Sequence, residues 1–199
     1  MNSVHNVLCS SGWWARRAEL ELVPFGVGGV DLGEDVLEIG PGFGATTRVL
    51  VQRLGRLEVL ELDARYCRRL RDELGEAVTV TQGDATRLPY PDGRFTSVLC
   101  FTMLHHIPTV AQQDQAFAEV ARVLRPGGTF AGTDSIGSGA VFKLIHIGDT
   151  LLPIDPAQLP GRLRAAGLDQ AEVDRANGSF RFRAVKPRDA LNSSSGVSS

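Results

Sequence analysis

The sequence predicts an α/β protein: a doubly wound, mostly parallel sheet flanked by helices and folded as a single domain. Three observations lead there. Short apolar runs alternate with helical patterns, a glycine-rich turn follows the first of those runs, and 199 residues at 43% hydrophobic content suffice to bury a core without disulfides or a structural metal.

The apolar runs Val36 to Ile39, Leu57 to Leu60, Val78 to Val80, Val98 to Phe101 and Thr129 to Gly132 suit buried parallel strands, which are covered on both faces and so show little polar alternation. Between them, Asp63 is placed to cap a helix on which Tyr66, Leu70 and Leu74 share one face at i, i+4 spacing. Phe117, Val120, Ala121 and Leu124 form the apolar stripe of a second helix, which Pro126-Gly127-Gly128 terminates. Right-handed crossovers between such units give a doubly wound sheet with a ligand crevice outside the carboxyl ends of its strands. Glu38, Glu61, Asp84 and the loop from Phe101 to His106 all fall at that edge.

The stretch Val36-Leu37-Glu38-Ile39-Gly40-Pro41-Gly42-Phe43-Gly44-Ala45-Thr46-Thr47 describes a nucleotide-type cofactor site. An acid closes the strand, glycines let the backbone approach a ligand, and Thr46 or Thr47 is placed to cap a helix whose first N–H groups face the crevice. Gly40, Gly42 and Ala45 also satisfy the dinucleotide fingerprint G-x-G-x-x-G/A, with Glu61 roughly twenty residues on, so a nicotinamide cofactor is the competing expectation. Glu38 weighs against it. An acid just ahead of the first glycine suits a cationic amino-acid moiety and repels a pyrophosphate held at a helix N-terminus.

At five separated places the chain resembles the class I S-adenosylmethionine-dependent methyltransferases. The sequence E-I-G-P-G-F-G resembles the family's first motif, Leu57-Glu58-Val59-Leu60-Glu61-Leu62-Asp63 its second strand, and Val78-Thr79-Val80-Thr81-Gln82-Gly83-Asp84-Ala85 its third. Ser97 to Phe101 with Leu104-His105-His106 resembles the fourth strand and its loop. Arg122-Val123-Leu124-Arg125-Pro126-Gly127-Gly128-Thr129-Phe130 resembles the turn into the fifth. The likeness covers about Val36 to Asp134, with a weaker echo to Lys186. It implies a Rossmann-like fold and S-adenosylmethionine as cofactor, with S-adenosylhomocysteine as product. It further implies that Glu38 and the turn Gly40, Pro41, Gly42, Phe43, Gly44 hold the methionine end. Glu61, followed by Leu62, would grip the ribose hydroxyls, and Asp84 with Ala85 would face the adenine. Phe101 is equally suited to core filling and to an aromatic wall beside the adenine. The run through the histidines most resembles the subgroup of ubiquinone and menaquinone C-methyltransferases and phospholipid N-methyltransferases.

His105 and His106 are the candidate catalytic residues. Adjacent side chains point in different directions and no third ligand is spaced to join them, so no metal site is expected. One of them suits a general base lining the reaction chamber, since imidazole titrates near neutral pH, and the other a packed, hydrogen-bonded histidine. Candidate acceptor-contacting residues lie in two apolar segments: Trp13 and Trp14 before the glycine motif, and Phe142 and His146 after the last strand run. These segments suit a water-excluding lid, or plain cover for the sheet.

A net charge of −2 gives no broad attraction to nucleic acid, and no apolar run approaches the ~20 residues of a membrane span. Cys9, Cys67 and Cys100 lack paired or metal-type spacing, which suits a reducing cytoplasm, and Met1 to Leu8 does not resemble a signal peptide. The expected organisation is a helical cover segment over 1–35, the methyltransferase domain over 36–189 with a lid segment at 138–155, and a disordered Ser-rich tail over 190–199. The expected function is methyl transfer by in-line displacement to a small, apolar or amphiphilic acceptor, by a cytoplasmic monomer or homodimer. A nicotinamide-dependent oxidoreductase and a cofactor-binding regulatory or partner subunit without catalysis are the alternatives.

Overall fold

A computed structural model describes residues 10–54, 56–137, 151–176 and 178–188. Phe142, His146, most of the 138–155 segment and the 190–199 tail lie outside the described residues.

Helix α1 (Gly12–Arg17) begins where the Ser11 hydroxyl accepts the Trp14 N–H at 3.2 Å. It runs through a π turn (Ala18–Leu22) into α2 (Val23–Val27). The widened turn stands directly ahead of Pro24, which has no N–H to offer the regular ladder. Next come β1 (Val36–Ile39), α3 (Ala45–Val51), β2 (Leu57–Glu61), α4 (Ala64–Leu74), β3 (Thr79–Gln82) and β4 (Phe95–Phe101). Then follow α5 (Val110–Val123), β5 (Leu124–Ser135), α6 (Leu159–Ala165), β6 (Asp169–Ala176) and β7 (Ser179–Val185). The seven strands form one sheet in the order β3-β2-β1-β4-β5-β7-β6. Strands β1 to β5 are parallel, and β7 runs antiparallel between β5 and β6. The order reverses between β1 and β4, which opens a crevice at their carboxyl ends.

The sheet separates two apolar layers, as strand alternation requires. Val98 and Cys100 of β4 join Phe117, Val120 and Phe130 under α5, with Phe180 and Phe182 of β7. Leu99 and Phe101 face the other way and pack with Val23, Val27, Leu50 and Ala131. Through α2 the segment ahead of β1 packs on the sheet and contributes Val23 and Val27 to this layer of the core.

Asp63 caps α4 as expected, its carboxylate accepting the Arg65 N–H at 2.8 Å. Two boundaries differ from expectation. Leu124 opens β5 and no longer belongs to α5, because it pairs with Phe95 across an irregularity before the regular register Ser97↔Thr129. Lys186 Nζ donates to the Leu124 carbonyl at 2.7 Å, placing a cation at the end of α5. The β6–β7 hairpin is an addition that periodicity did not indicate, since edge strand β6 is largely exposed and carries Asp169, Glu172, Asp174 and Arg175.

Gly132 stands opposite Cys100 in the parallel register, and any Cβ there would collide with the Cys100 carbonyl oxygen. A backbone atom in mid-sheet cannot yield. Gly132→Ala is expected to lose about 3 kcal/mol of unfolding free energy in urea titration. Gly161→Ala, in open space within α6, should instead gain roughly 0.5–1 kcal/mol. Equal effects would show that close strand approach is not the constraint.

Candidate functional site

A crevice of about 390 Å³ lies at the carboxyl edge of the sheet, within the size range of small-ligand sites. Ile39, Gly40 and Gly42 line it from β1, Leu60, Glu61, Leu62, Asp63 and Tyr66 from the β2 side, and Gly83, Asp84, Ala85 and Thr86 from beyond β3. Met103, His106, Ile107, Pro108 and Gln112 close it from the chain after β4. Three carboxylates face this space, and among the described residues no Lys or Arg lines it.

Glu61 ends β2 with one carboxylate oxygen accepting the Gly42 N–H and the other the Asp63 N–H, each at 2.9 Å. Burial raises its pKa; the amides of Asp63, Gly42 and Leu62 oppose that rise, and the Asp63 charge adds to it. Asp63 itself is lowered to about 2, chiefly by its hydrogen bond to the Arg65 side chain. Leu62, 66% exposed, presents an apolar surface beside them.

Glu38 occupies a different place from the one anticipated. It is 1% exposed and does not line the crevice. The Thr46 hydroxyl donates to one of its oxygens and the Thr47 hydroxyl to the other at 2.6 Å. Those threonines were expected to cap α3, but its N-cap is Gly44 in the left-handed conformation, with no side-chain cap. Their hydroxyls point down to the strand because a buried carboxylate needs donors more than an exposed helix start does. Burial pushes the Glu38 carboxyl up to about 7, against the two hydroxyl bonds and with help from the Glu61 charge.

Asp84 lines the crevice while its Oδ1 accepts the Thr86 N–H at 2.8 Å and the Thr86 hydroxyl at 2.9 Å, so turn capping and ligand access coexist. Phe101, a candidate wall for the adenine, is instead core: strand alternation turns it to the layer of Val23 and Val27. Met103 takes the position at the crevice. His105 is likewise corrected as a catalytic candidate. It is 2% exposed, its Nδ1 pairs with the Asp134 carboxyl, and its backbone N–H donates to Asp134 at 3.1 Å. His106 lines the crevice, its ring 4.3 Å from that of His105. The two lie in one 3-10 turn (Leu104–His106), whose neighbouring side chains diverge by about a third of a revolution.

Pro41, Phe43 and Gly44 shape the glycine turn from outside the crevice, with Phe43 packed at a tilt against Tyr66, ring centroids 4.8 Å apart, and beneath the Arg69 guanidinium. Trp14 packs against Ala18, Leu22 and Ala45, whereas Trp13 is 60% exposed, and neither lines the crevice. Tyr66 was read from the sequence only as part of a helix face, and Met103 only as part of the loop at the ligand edge; Ile107 and Gln112 carried no signal.

The Glu38 carboxyl titrates near 7 in the folded chain and near 4.5 when unfolded. Between those values the native state holds a proton that the unfolded state lacks, so stability falls as pH rises across this window, by on the order of 3 kcal/mol in full. Glu38→Gln should flatten urea-derived stability between pH 5 and pH 8 and exceed the wild type at pH 8. A variant that keeps the wild-type slope would assign that slope to another group.

Residues 37–132 match the family model described as a methyltransferase domain. The chain is 38% identical over 108 residues to a fatty-acid O-methyltransferase from Mycolicibacterium smegmatis, an alignment covering 52% of this chain and 38% of the relative. It is 34% identical over 108 residues to a ubiquinone/menaquinone biosynthesis C-methyltransferase from Pseudomonas aeruginosa, covering 50% and 41%. It thus spans about two fifths of the length of these curated relatives. Its fold superimposes on Haemonchus contortus phosphoethanolamine N-methyltransferase 2 in complex with S-adenosyl-L-methionine, with a TM-score of 0.70 and 18% identity over 94% of this chain and 61% of that one. Over residues 37–132 the chain is thus similar to a methyltransferase domain, and its sheet order and glycine turn are in keeping with the class I S-adenosylmethionine-dependent methyltransferases that it resembles.

Proposed function

We propose that the chain binds S-adenosylmethionine in the crevice and transfers its methyl group to a small, apolar or amphiphilic acceptor. The observation that carries this is the charge of the site: Glu61 and Asp84 line it together with Asp63, which is ion-paired to Arg65, and among the described residues no lysine or arginine lines it. Such a lining suits a cationic ligand. A dinucleotide is disfavoured, because Glu38 lies behind the helix start that would hold a pyrophosphate, and Thr46 and Thr47 are turned to Glu38.

In this reading Glu61 accepts ribose hydroxyls and Asp84 the adenine amino group, while Leu62, Ala85 and Met103 provide apolar contact to the base; the presence of all five in the crevice lining supports it. When bound, the cofactor supplies an electrophilic methyl group on a sulfonium. The protein's own contribution is to hold donor and acceptor in line and to exclude water, and orientation alone contributes up to ~7–11 kcal/mol in favourable intramolecular systems. His106 is the imidazole positioned to take a proton from an acceptor that must lose one. Ile39, Leu60, Met103, Ile107 and Pro108 give the crevice apolar walls, and the relatives named for fatty-acid and quinone methylation support a lipid-like acceptor. No helix of the described residues is long and apolar enough to cross a membrane, and the buried Cys67 and Cys100 are free thiols. Free thiols suit a reducing, cytoplasmic compartment.

Calorimetric titration with S-adenosylhomocysteine and, separately, NADH tests the cofactor assignment; binding of NADH alone would refute it. Binding of S-adenosylhomocysteine without methyl transfer to any fatty acid or quinol would point to a regulatory subunit. Glu61→Ala removes a charged acceptor and should weaken S-adenosylhomocysteine roughly ten- to a hundredfold. His106→Ala should leave that affinity nearly unchanged, and a turnover loss of ~10²- to 10⁴-fold would identify a general base. A loss under tenfold leaves positioning as the mechanism.

A further inference from the structure

At the end of β4 the backbone of Thr102 has a φ of +50°. β-Branched residues rarely adopt this left-handed conformation, because Cβ crowds the following carbonyl, and such outliers persist only where their surroundings hold them. Here the holding groups are visible. Thr102 N–H donates to the Thr133 carbonyl at 2.8 Å, tying the bend to β5. Asp134, fully buried, accepts the His105 backbone N–H and pairs with its Nδ1. From the helix side, buried Gln113 donates to the Leu104 carbonyl at 3.2 Å and the Leu152 carbonyl at 2.9 Å.

The bend changes which side chains reach the crevice. Phe101 before it stays in the core, whereas Met103 after it lies over Gly40, where a Cβ would collide with Met103 Cγ. Met103 and His106 then line the crevice, and Thr102 itself does not. Four hydrogen bonds from outside thus hold a strained residue and one short turn whose exposed product is a wall of the cofactor crevice.

We propose that Thr102 is a positioning residue for cofactor binding: its held left-handed backbone presets the turn carrying Met103 and His106 against the glycine loop before the ligand arrives. A preset wall spares the complex the ordering cost that a mobile one would impose on binding. The inference rests on the assignment of S-adenosylmethionine to this crevice.

Two substitutions separate positioning from plain structure, with S-adenosylhomocysteine as the probe. Glycine takes positive φ without strain but leaves the bend free to relax, whereas asparagine takes it readily and stays there. Thr102→Gly should melt at or above the wild-type temperature, yet bind S-adenosylhomocysteine roughly three- to tenfold more weakly in calorimetry. Thr102→Asn should keep wild-type affinity. Wild-type affinity in Thr102→Gly overturns the inference, as does loss of affinity in Thr102→Asn. If Thr102→Gly melts below the wild type, Thr102 is a folding constraint and the inference also fails. A wild-type protein that does not bind S-adenosylhomocysteine overturns the cofactor assignment itself, and this inference with it.

Discussion

The buried carboxylate of Glu38 ties β1 to α3 across the glycine turn, and the shape of the crevice edge follows from that tie. Its partners are two neutral hydroxyls, Thr46 and Thr47, and among its described contacts there is no cation. Hydroxyl donors offset only part of the desolvation of a charge, so the carboxyl is held near neutrality in its titration and the ionised form is costly. The same tie sets the start of α3 above the strand end. Glu61 makes the second connection by accepting the Gly42 N–H from the adjacent strand. Two acids from neighbouring parallel strands thereby hold one glycine turn, one from beneath and one from the side.

The far wall is organised by an equivalent device on β5. Asp134 lies buried at the end of that strand, where a polar side chain needs hydrogen-bond partners. It collects the Ser135 N–H at 2.6 Å along with the backbone N–H of His105, and it pairs with His105 Nδ1. The loop after β4, with one short 3-10 turn, is thereby tied by hydrogen bonds to β5 and to α5. Gln113 extends the arrangement to the re-entering chain at Leu152, and Arg162 completes it by donating to the Gln113 side-chain oxygen at 2.9 Å.

Charge is sorted between the two edges of the sheet. At the amino edge Arg94 bridges Asp35 at 2.8 Å and Glu58 at 2.6 Å, and Arg125 also reaches Asp35. Partly exposed pairs of this kind contribute little stability each. Their consequence is electrostatic: the acids there are neutralised, as Asp63 is by Arg65 at the carboxyl edge, while Glu61 and Asp84 are left to act on the crevice.

Much of this was legible in the sequence. Buried parallel strands announce themselves as apolar runs, and a glycine turn between strand and helix marks the crevice, because both signals come from local backbone requirements. The acids Glu38, Glu61 and Asp84 could be placed at the carboxyl edge for the same reason. What they do there was decided by tertiary structure. Glu38 and Phe101 both lie at strand ends, yet which face a strand-end side chain meets depends on the layers packed against the sheet, and both turned inward. His105 and His106 were indistinguishable by chemistry; the buried Asp134, contributed by a distant strand, drew one inward and left the other at the crevice. The edge hairpin β6–β7 carried no periodic signal, since exposed strands need none. Sequence determines which residues can build such a site, and long-range packing determines which of them face it.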